Sequence, residues 1–365
     1  MRYAVAATLL LVACAPDPAP PIANDTAANV AAPAVPVAGA PPGPVADTRA
    51  APIPGELKTF RDWTVACDNV ARCAMASLGP DMGDFPRFTV QVTRAAGPAG
   101  GYEVALNPLS DDDAAPVALT IAGARFDGRS GEGAARLVAA MANAPAMTGV
   151  DAAGRALGSV SLAGAAAALR YIDAAQGRAG TVTAAVATGP GAAATVPAAA
   201  AVPVIVAPAL AGAAARPTAA QLADMRRVAR CEDRMTADHW DVRTAALGGG
   251  ATIVVLPCSA GAYNEIDALF VIRDGTVAPA AVDAPSGFDA TGADSQTPVS
   301  SIVNGDLGDG LVSSYAKGRG LGDCGVAQTY AWDGRRLRLA EQRAMGECRG
   351  NPHYLRTWIA RVERR

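Results

Sequence analysis

The chain has 365 residues, a formal net charge of −3 and only 5% aromatic residues. This balance excludes the basic field that nucleic-acid binding requires, while the length accommodates two ordinary domains. Much of the 51% hydrophobic content is alanine, so the apolar core is smaller than that figure implies.

In chain order, Arg2 is followed by a short apolar run, Ala4 to Val12, too short to span a bilayer as a helix. The run ends in Leu11-Val12-Ala13-Cys14, which resembles the lipobox of bacterial lipoproteins. The resemblance implies cleavage before Cys14, lipidation of its thiol and membrane anchoring through several acyl chains. Ala15 rather than Asp after the cysteine points to the outer membrane in lipoproteins of this kind. Plain secretion, with cleavage near Ala13-Cys14-Ala15, is the alternative, and Pro16 sits badly for it. Residues 1–13 therefore read as a signal peptide, and 14–55 as a lipidated cysteine on a Pro/Ala-rich, disordered tether.

An N-terminal α+β domain is expected over 56–180. Phe60 to Cys67 alternates large apolar and polar residues as a half-buried strand does, Asp68-Asn69 is a turn, and Cys73 to Ala76 returns. Arg87 to Arg94 and Pro116 to Phe126 supply further strand. Ala134 to Ala142 and Ala165 to Gln176 carry apolar residues at helical spacing. Residues 179–215 hold no charge, but Pro190, Pro197, Pro203 and Pro208 exclude a spanning helix, so 181–217 reads as an Ala/Pro-rich linker.

Residues 218–365 read as a C-terminal, mostly antiparallel β domain. It opens with a helix from Thr218 to Arg230. Strands follow at Thr252 to Leu256, Ala268 to Arg273, Gly310 to Tyr315, Val326 to Trp332, Arg336 to Glu341 and Leu355 to Val362, with turns at Asp274-Gly275 and Asp333-Gly334.

Cys67, Cys73, Cys231, Cys258, Cys324 and Cys348 form an even set in a chain read as exported, which suggests disulfides. Sequential pairing is preferred, with the connectivity of the last four left open. Gly320-Leu321-Gly322-Asp323-Cys324-Gly325 matches a dinucleotide fingerprint but precedes a strand, not a helix. Ser314-Tyr315-Ala316-Lys317 matches S-x-x-K without the helix and K-T-G strand that its chemistry needs. His239 and His353 stand alone, and neither Asp111-Asp112-Asp113 nor the turn from Asn304 to Gly310 follows a calcium-loop register. No cofactor, metal or catalytic residue is assigned. The surface candidates are Lys317, Arg319 and Asp323 on a glycine-rich turn held by Cys324, with Tyr263-Asn264 as a second patch.

Several strings together resemble domain-of-unknown-function family 1176, a family of exported bacterial proteins. They are Phe60-x-x-Trp63-x-Val65-x-Cys67-Asp68-Asn69, Ser161-Leu162-Ala163-Gly164 running on to Gln176-Gly177-Arg178, and Pro257-Cys258-x-x-Gly261-Ala262-Tyr263-Asn264. The remainder are Lys317-Gly318-Arg319-Gly320 with Gly322-Asp323-Cys324-Gly325, Trp332-Asp333-Gly334, and Met345-x-Glu347-Cys348-Arg349-Gly350. The first half is also similar to invasion-associated locus B proteins. The resemblance carries no activity. The expectation is a periplasm-facing, membrane-anchored lipoprotein that binds an envelope protein or cell-wall partner. An envelope hydrolase needs two converging carboxylates, which Asp267, Asp283, Asp294, Asp306 and Asp309 do not reveal by spacing. Inhibition of a lytic enzyme by the cationic loop is the remaining alternative.

Overall fold

A computed structural model of the chain describes residues 51–81, 85–110, 114–236, 240–283 and 297–365. The expected signal peptide, Cys14 and the tether up to residue 50 lie outside the described residues, as do Asp111, Asp112, Asp113, His239 and Asp294. Strand dominates the remainder, with three α-helices among the described residues and several antiparallel sheets.

Strands β1 (Leu57–Phe60), β2 (Trp63–Cys67), β3 (Cys73–Ser77), β4 (Phe88–Arg94) and β5 (Tyr102–Pro108) form an antiparallel meander. Phe60 to Cys67, expected as one strand, contains a hairpin: Arg61 adopts a φ of 54° and Phe60 pairs with Trp63 across the turn. The apolar alternation runs straight through the bend, and no glycine or asparagine marks it. Strands β6 (Ala118–Ile121), β7 (Ala124–Phe126), β8 (Ala146–Val150) and β9 (Ala156–Ser161) make a second sheet in the order β7-β6-β8-β9. Helices α1 (Gly131–Met141) and α2 (Ala165–Ala175) complete this half close to their expected positions. Leu137, Val138 and Met141 of α1 and Leu169 and Ile172 of α2 pack with Trp63, Val65, Met75, Val90 and Val92.

The segment read as a linker carries structure of its own. Asp173 of α2 is fully buried, and its carboxylate accepts the N–H groups of Ala185, Val186 and Ala187 at 2.8, 2.9 and 3.1 Å. Arg178, also fully buried, donates to Gln176 Oε1, Thr183 Oγ1 and the carbonyls of Ala95 and Gly97. Buried charges with this many partners fix a loop, because water cannot replace the lost bonds. Farther on, β10 (Val204–Ala207) runs parallel to the last strand of the chain.

Helix α3 (Ala219–Ala229) starts where expected, under a capping box in which Thr218 and Gln221 exchange side-chain and backbone bonds. It covers one face of the sheet formed by β11 (Arg243–Gly248), β12 (Ala251–Ala260), β13 (Glu265–Arg273), β14 (Thr276–Pro279) and β15 (Ser301–Val303). The other face meets a sheet built from β16 (Asp306–Gly308), β17 (Leu311–Lys317), β18 (Gly325–Trp332), β19 (Leu337–Met345) and β20 (Leu355–Ile359). Ile253, Val255, Leu269 and Val271 pack there against Val312, Tyr330, Trp332 and Leu339, as in a β-sandwich. Strand β21 (Arg361–Arg364) turns away to pair with β10. The disulfides are Cys67–Cys73, Cys231–Cys258 and Cys324–Cys348, the sequential arrangement.

Residues Ala50–Arg365 form one compact unit. The outer face of β2 and β3 presents Ala66, Ala74 and Ala76 to Met345, Tyr354 and Leu355. Arg349 donates to Asp62 Oδ1 and the Arg61 carbonyl, each at 2.7 Å, and to the Gly79 carbonyl at 2.8 Å. Arg356 pairs with the buried Asp68 carboxylate at 2.7 Å, and Asn69 exchanges two bonds with the backbone of Ile359. Ala76→Leu, a site with no exposed surface, is expected to destabilise the protein by about 1–3 kcal/mol through overpacking. Urea denaturation would read this as a lower midpoint with unchanged slope, and a midpoint equal to wild type would show the seam to be loose.

Candidate functional site

The turn between β17 and β18 is fixed on three sides. Cys324 ties it to Cys348, and Gly318 N–H donates to the Cys324 carbonyl at 2.8 Å. A Cβ on Gly318 would stand 2.7 Å from Cys324 Sγ, so the turn closes only around glycine. The hydroxyls of Tyr315 and Tyr354 both donate to the Gly322 carbonyl, at 2.7 and 3.1 Å. Burial, then the hydrogen bond and charge of Tyr315, push the Tyr354 phenol well above its ordinary value, which keeps it a donor.

The two patches expected separately are one site. Tyr263 Oη donates to the Gly318 carbonyl at 3.1 Å. Asn264 Nδ2 donates to the Lys317 carbonyl at 2.9 Å, while Lys317 N–H donates to Asn264 Oδ1 at 3.1 Å, so one side chain pairs with the strand as a backbone would. Asn304 Nδ2 donates to Asn264 Oδ1 and to the Tyr315 carbonyl.

The cations are not equivalent, which corrects the expectation of two presented charges. Arg319 grips Asp323 with Nε and Nη2 at 2.7 and 2.5 Å, and Gly350 N–H donates to the same carboxylate at 2.6 Å. Burial raises the Asp323 carboxyl, but the Arg319 hydrogen bonds, the Gly350 N–H and the Arg319 charge outweigh it and leave the carboxyl below its ordinary range. Lys317 has no carboxylate partner among the described residues, and its Nζ lies 5.5 Å from the Tyr315 ring centroid. Lys317 is thus the uncompensated cation of the turn.

Beside the turn is a groove of about 340 Å³, lined by Phe85, Pro86, Leu109, Leu321, Gly350 and Pro352. Phe85 is 54% exposed, Leu321 63% and Tyr263 41%. The Arg319 guanidinium lies 5.7 Å from the Phe85 ring centroid, which ties Phe85 to the turn. Pro352 also borders a second cleft of about 360 Å³ containing Gln91, Asn107, Arg343 and His353. Phe85 and Leu321 escape the sequence reading because lone apolar residues in loops are ordinary. Only their contiguity is a signal, and it arises between distant segments.

The remaining motifs serve the fold. Ser314 is buried and exchanges hydrogen bonds with the Val303 backbone, joining β15 to β17. The G-x-G-x-x-G glycines lead into β18. Burial pushes the His353 imidazole below its ordinary value. No group of three His, Cys, Asp or Glu side chains is placed to hold a metal among the described residues. Of the described candidate carboxylates, Asp283 pairs with Arg338 and Asp306 is exposed, whereas Asp267 meets Glu265 on one Arg243 nitrogen, at 2.6 and 2.5 Å. Glu265 is absent from the sequence reading.

Because the folded Asp323 pKa is depressed, its stabilisation is present above the unfolded value and lost as pH falls through the folded one. Arg319→Ala is expected to cost about 1–2 kcal/mol at neutral pH, with Arg319 partly solvent-screened, and to shrink that acid-side loss. Urea midpoints at about pH 3 and about pH 7 test this, and parallel pH dependence in both proteins would refute it.

No solved structure matches the chain. The uncharacterised protein YpfG of Escherichia coli (strain K12) is 29% identical over 224 residues, 56% of this chain and 60% of that protein. The chain thus spans about three-fifths of that relative's length. The family model described as "Protein of unknown function (DUF1176)" matches residues 57–362, nearly all of the described fold, and the chain belongs to that family.

Proposed function

We propose that this chain is an exported, lipid-anchored envelope protein that binds a protein partner through the face made by Lys317, Leu321, Tyr263 and Phe85. In this reading an α+β module over 56–180 and a β-rich module over 218–365 together present that face. The lipobox-like Leu11 to Cys14 supports the anchor and an outer-membrane address. Three disulfides fit an oxidising compartment.

The observation that carries the reading is a rigid turn flanked by exposed apolar side chains. Ordering costs weaken binding, and a turn already held by a disulfide and five side-chain bonds to its backbone avoids most of them. Phe85, Leu321 and Tyr263 offer apolar anchors around it, and Lys317 offers a charge without a carboxylate partner among the described residues. The complementary partner presents an apolar side chain beside a carboxylate. The hydrolase alternative has its carboxyl pair in Glu265 and Asp267, but Asp267 is fully buried and neither residue lines the clefts described above.

Pull-down from detergent-solubilised envelope tests the reading. Phe85→Asp/Leu321→Asp is expected to weaken capture at least about 100-fold, since each anchor buries about 1.5–3 kcal/mol of apolar surface. Lys317→Ala is expected to weaken it several-fold and remove part of its salt dependence. A partner captured equally by all variants would sink this site, and no saturable partner would sink the binding reading.

A further inference from the structure

Arg243, Glu265 and Asp267 form a cluster whose charges do not balance if all three are ionised. Asp267 has no exposed surface and faces the sandwich interior from β13. Its Oδ1 lies 2.6 Å from Arg243 Nη2, and its Oδ2 accepts Gly305 N–H at 2.8 Å. Glu265 Oε1 takes the same Arg243 nitrogen at 2.5 Å, and Arg243 Nη1 donates to the Gly305 carbonyl. A Cβ on Gly305 would stand 2.8 Å from Asp267 Oδ2, so the backbone approaches this closely only at glycine. Two carboxylates share one guanidinium in a site where an unpaired charge is costly.

The same segment holds the turn. Gly305 rests on Asp267, while Asn304 accepts Glu265 N–H at 2.9 Å and donates to Asn264 and to the Tyr315 carbonyl. Asn264 in turn pairs with the Lys317 backbone. We propose that Asp267 is a protonation latch: while it keeps its proton, the cluster is neutral and Asn304–Gly305 braces the Lys317 turn, and loss of that proton loosens the brace. As regulation of binding, this rests on the reading of the Lys317 face as the site.

The groups acting on Asp267 are consistent with the latch. Burial, then the hydrogen bond that protonated Asp267 donates to the Glu265 carboxylate, raise its pKa, the Arg243 charge opposes them, the Glu265 charge adds to the rise and the Gly305 N–H opposes it. The balance moves it from an ordinary 3.8 to about 8. A folded pKa above the unfolded one gives stabilisation that is complete below the unfolded value and lost as pH rises through the folded value. The turn therefore tightens in mildly acidic surroundings and slackens in alkaline ones.

The test uses the free protein, so that it stands whether or not a partner is found. Carbon-13 NMR of the Asp267 side-chain carboxyl should show a titration well above the carboxylate range, and Glu265→Gln should move it down by leaving Arg243 to Asp267 alone. Hydrogen exchange at the Lys317 amide, corrected for intrinsic rate, should speed up about tenfold between about pH 6 and about pH 9 in wild type. In Asp267→Asn, a neutral isostere, it should stay flat. An Asp267 titration near its ordinary value overturns the proposal, even if the variants fail to fold. Equal pH dependence of exchange in wild type and Asp267→Asn overturns it as well.

Discussion

The rest of the molecule depends on one sheet being buried on both faces. Trp63, Val65 and Met75 point toward the helices, while Ala66, Ala74 and Ala76 on the opposite face meet Met345, Tyr354 and Leu355. Small side chains bring the two backbones close, and that closeness lets polar groups bridge the seam directly. Arg349 reaches the carbonyls of Arg61 and Gly79, Asn351 reaches that of Ser77, and Gly55 N–H reaches that of Thr357. Buried bonds of this kind resist opening because each group would be left without a partner or would have to admit water. The alanine excess, uninformative as composition, has a structural use here.

The candidate groove is a consequence of that seam. The alanine face brings the ends of β4 and β5 beside the segment that Cys348 ties to the Lys317 turn. Phe85 and Leu321, from distant segments, then line one groove. The Asp68–Arg356 pair and the Asn69–Ile359 bonds hold the far end of the same contact. A groove framed on both sides by such bonds keeps its shape before any ligand arrives, which favours recognition over induced closure.

Charge is handled differently in the two cores. In the first half, Asp173 and Arg178 are each satisfied by neutral partners. In the sandwich, Arg243 serves two carboxylates at once, and burial shifts the balance onto a proton. Both arrangements brace a loop, and in the second the bracing is linked to the proton on Asp267. Asn304 connects that difference to the surface, since it bonds both the strand carrying Asp267 and the side chain holding Lys317.

Local signals determined much of this protein. Helical spacing placed α1 and α2, the alternation around Asp333-Gly334 placed a hairpin, and the even cysteine count anticipated disulfides, with sequential pairing preferred and the connectivity of the last four left open. Each depends on contacts within a few turns or one hairpin, where periodicity and turn chemistry act directly. The hairpin at Arg61 was hidden because its turn, Arg61-Asp62, lacks the glycine or asparagine that usually takes the positive φ. The strands β8 and β9 were missed because glycine and alanine dilute their alternation, whereas β5 carries a clean one, Tyr102, Val104 and Leu106 against Glu103, Ala105 and Asn107, that the reading left unused. Tertiary structure alone decided that Tyr263-Asn264 and Lys317 share a site, that Arg319 is neutralised by Asp323, and that Glu265 meets Asp267. The last pairing is the most instructive: two residues apart on one strand, they share a face by simple alternation. Their chemistry comes from Arg243 on β11, across the intervening β12, and from Gly305 just past β15. Spacing along a chain specifies which way side chains point, whereas charge balance and exclusion of water depend on what the fold brings to meet them.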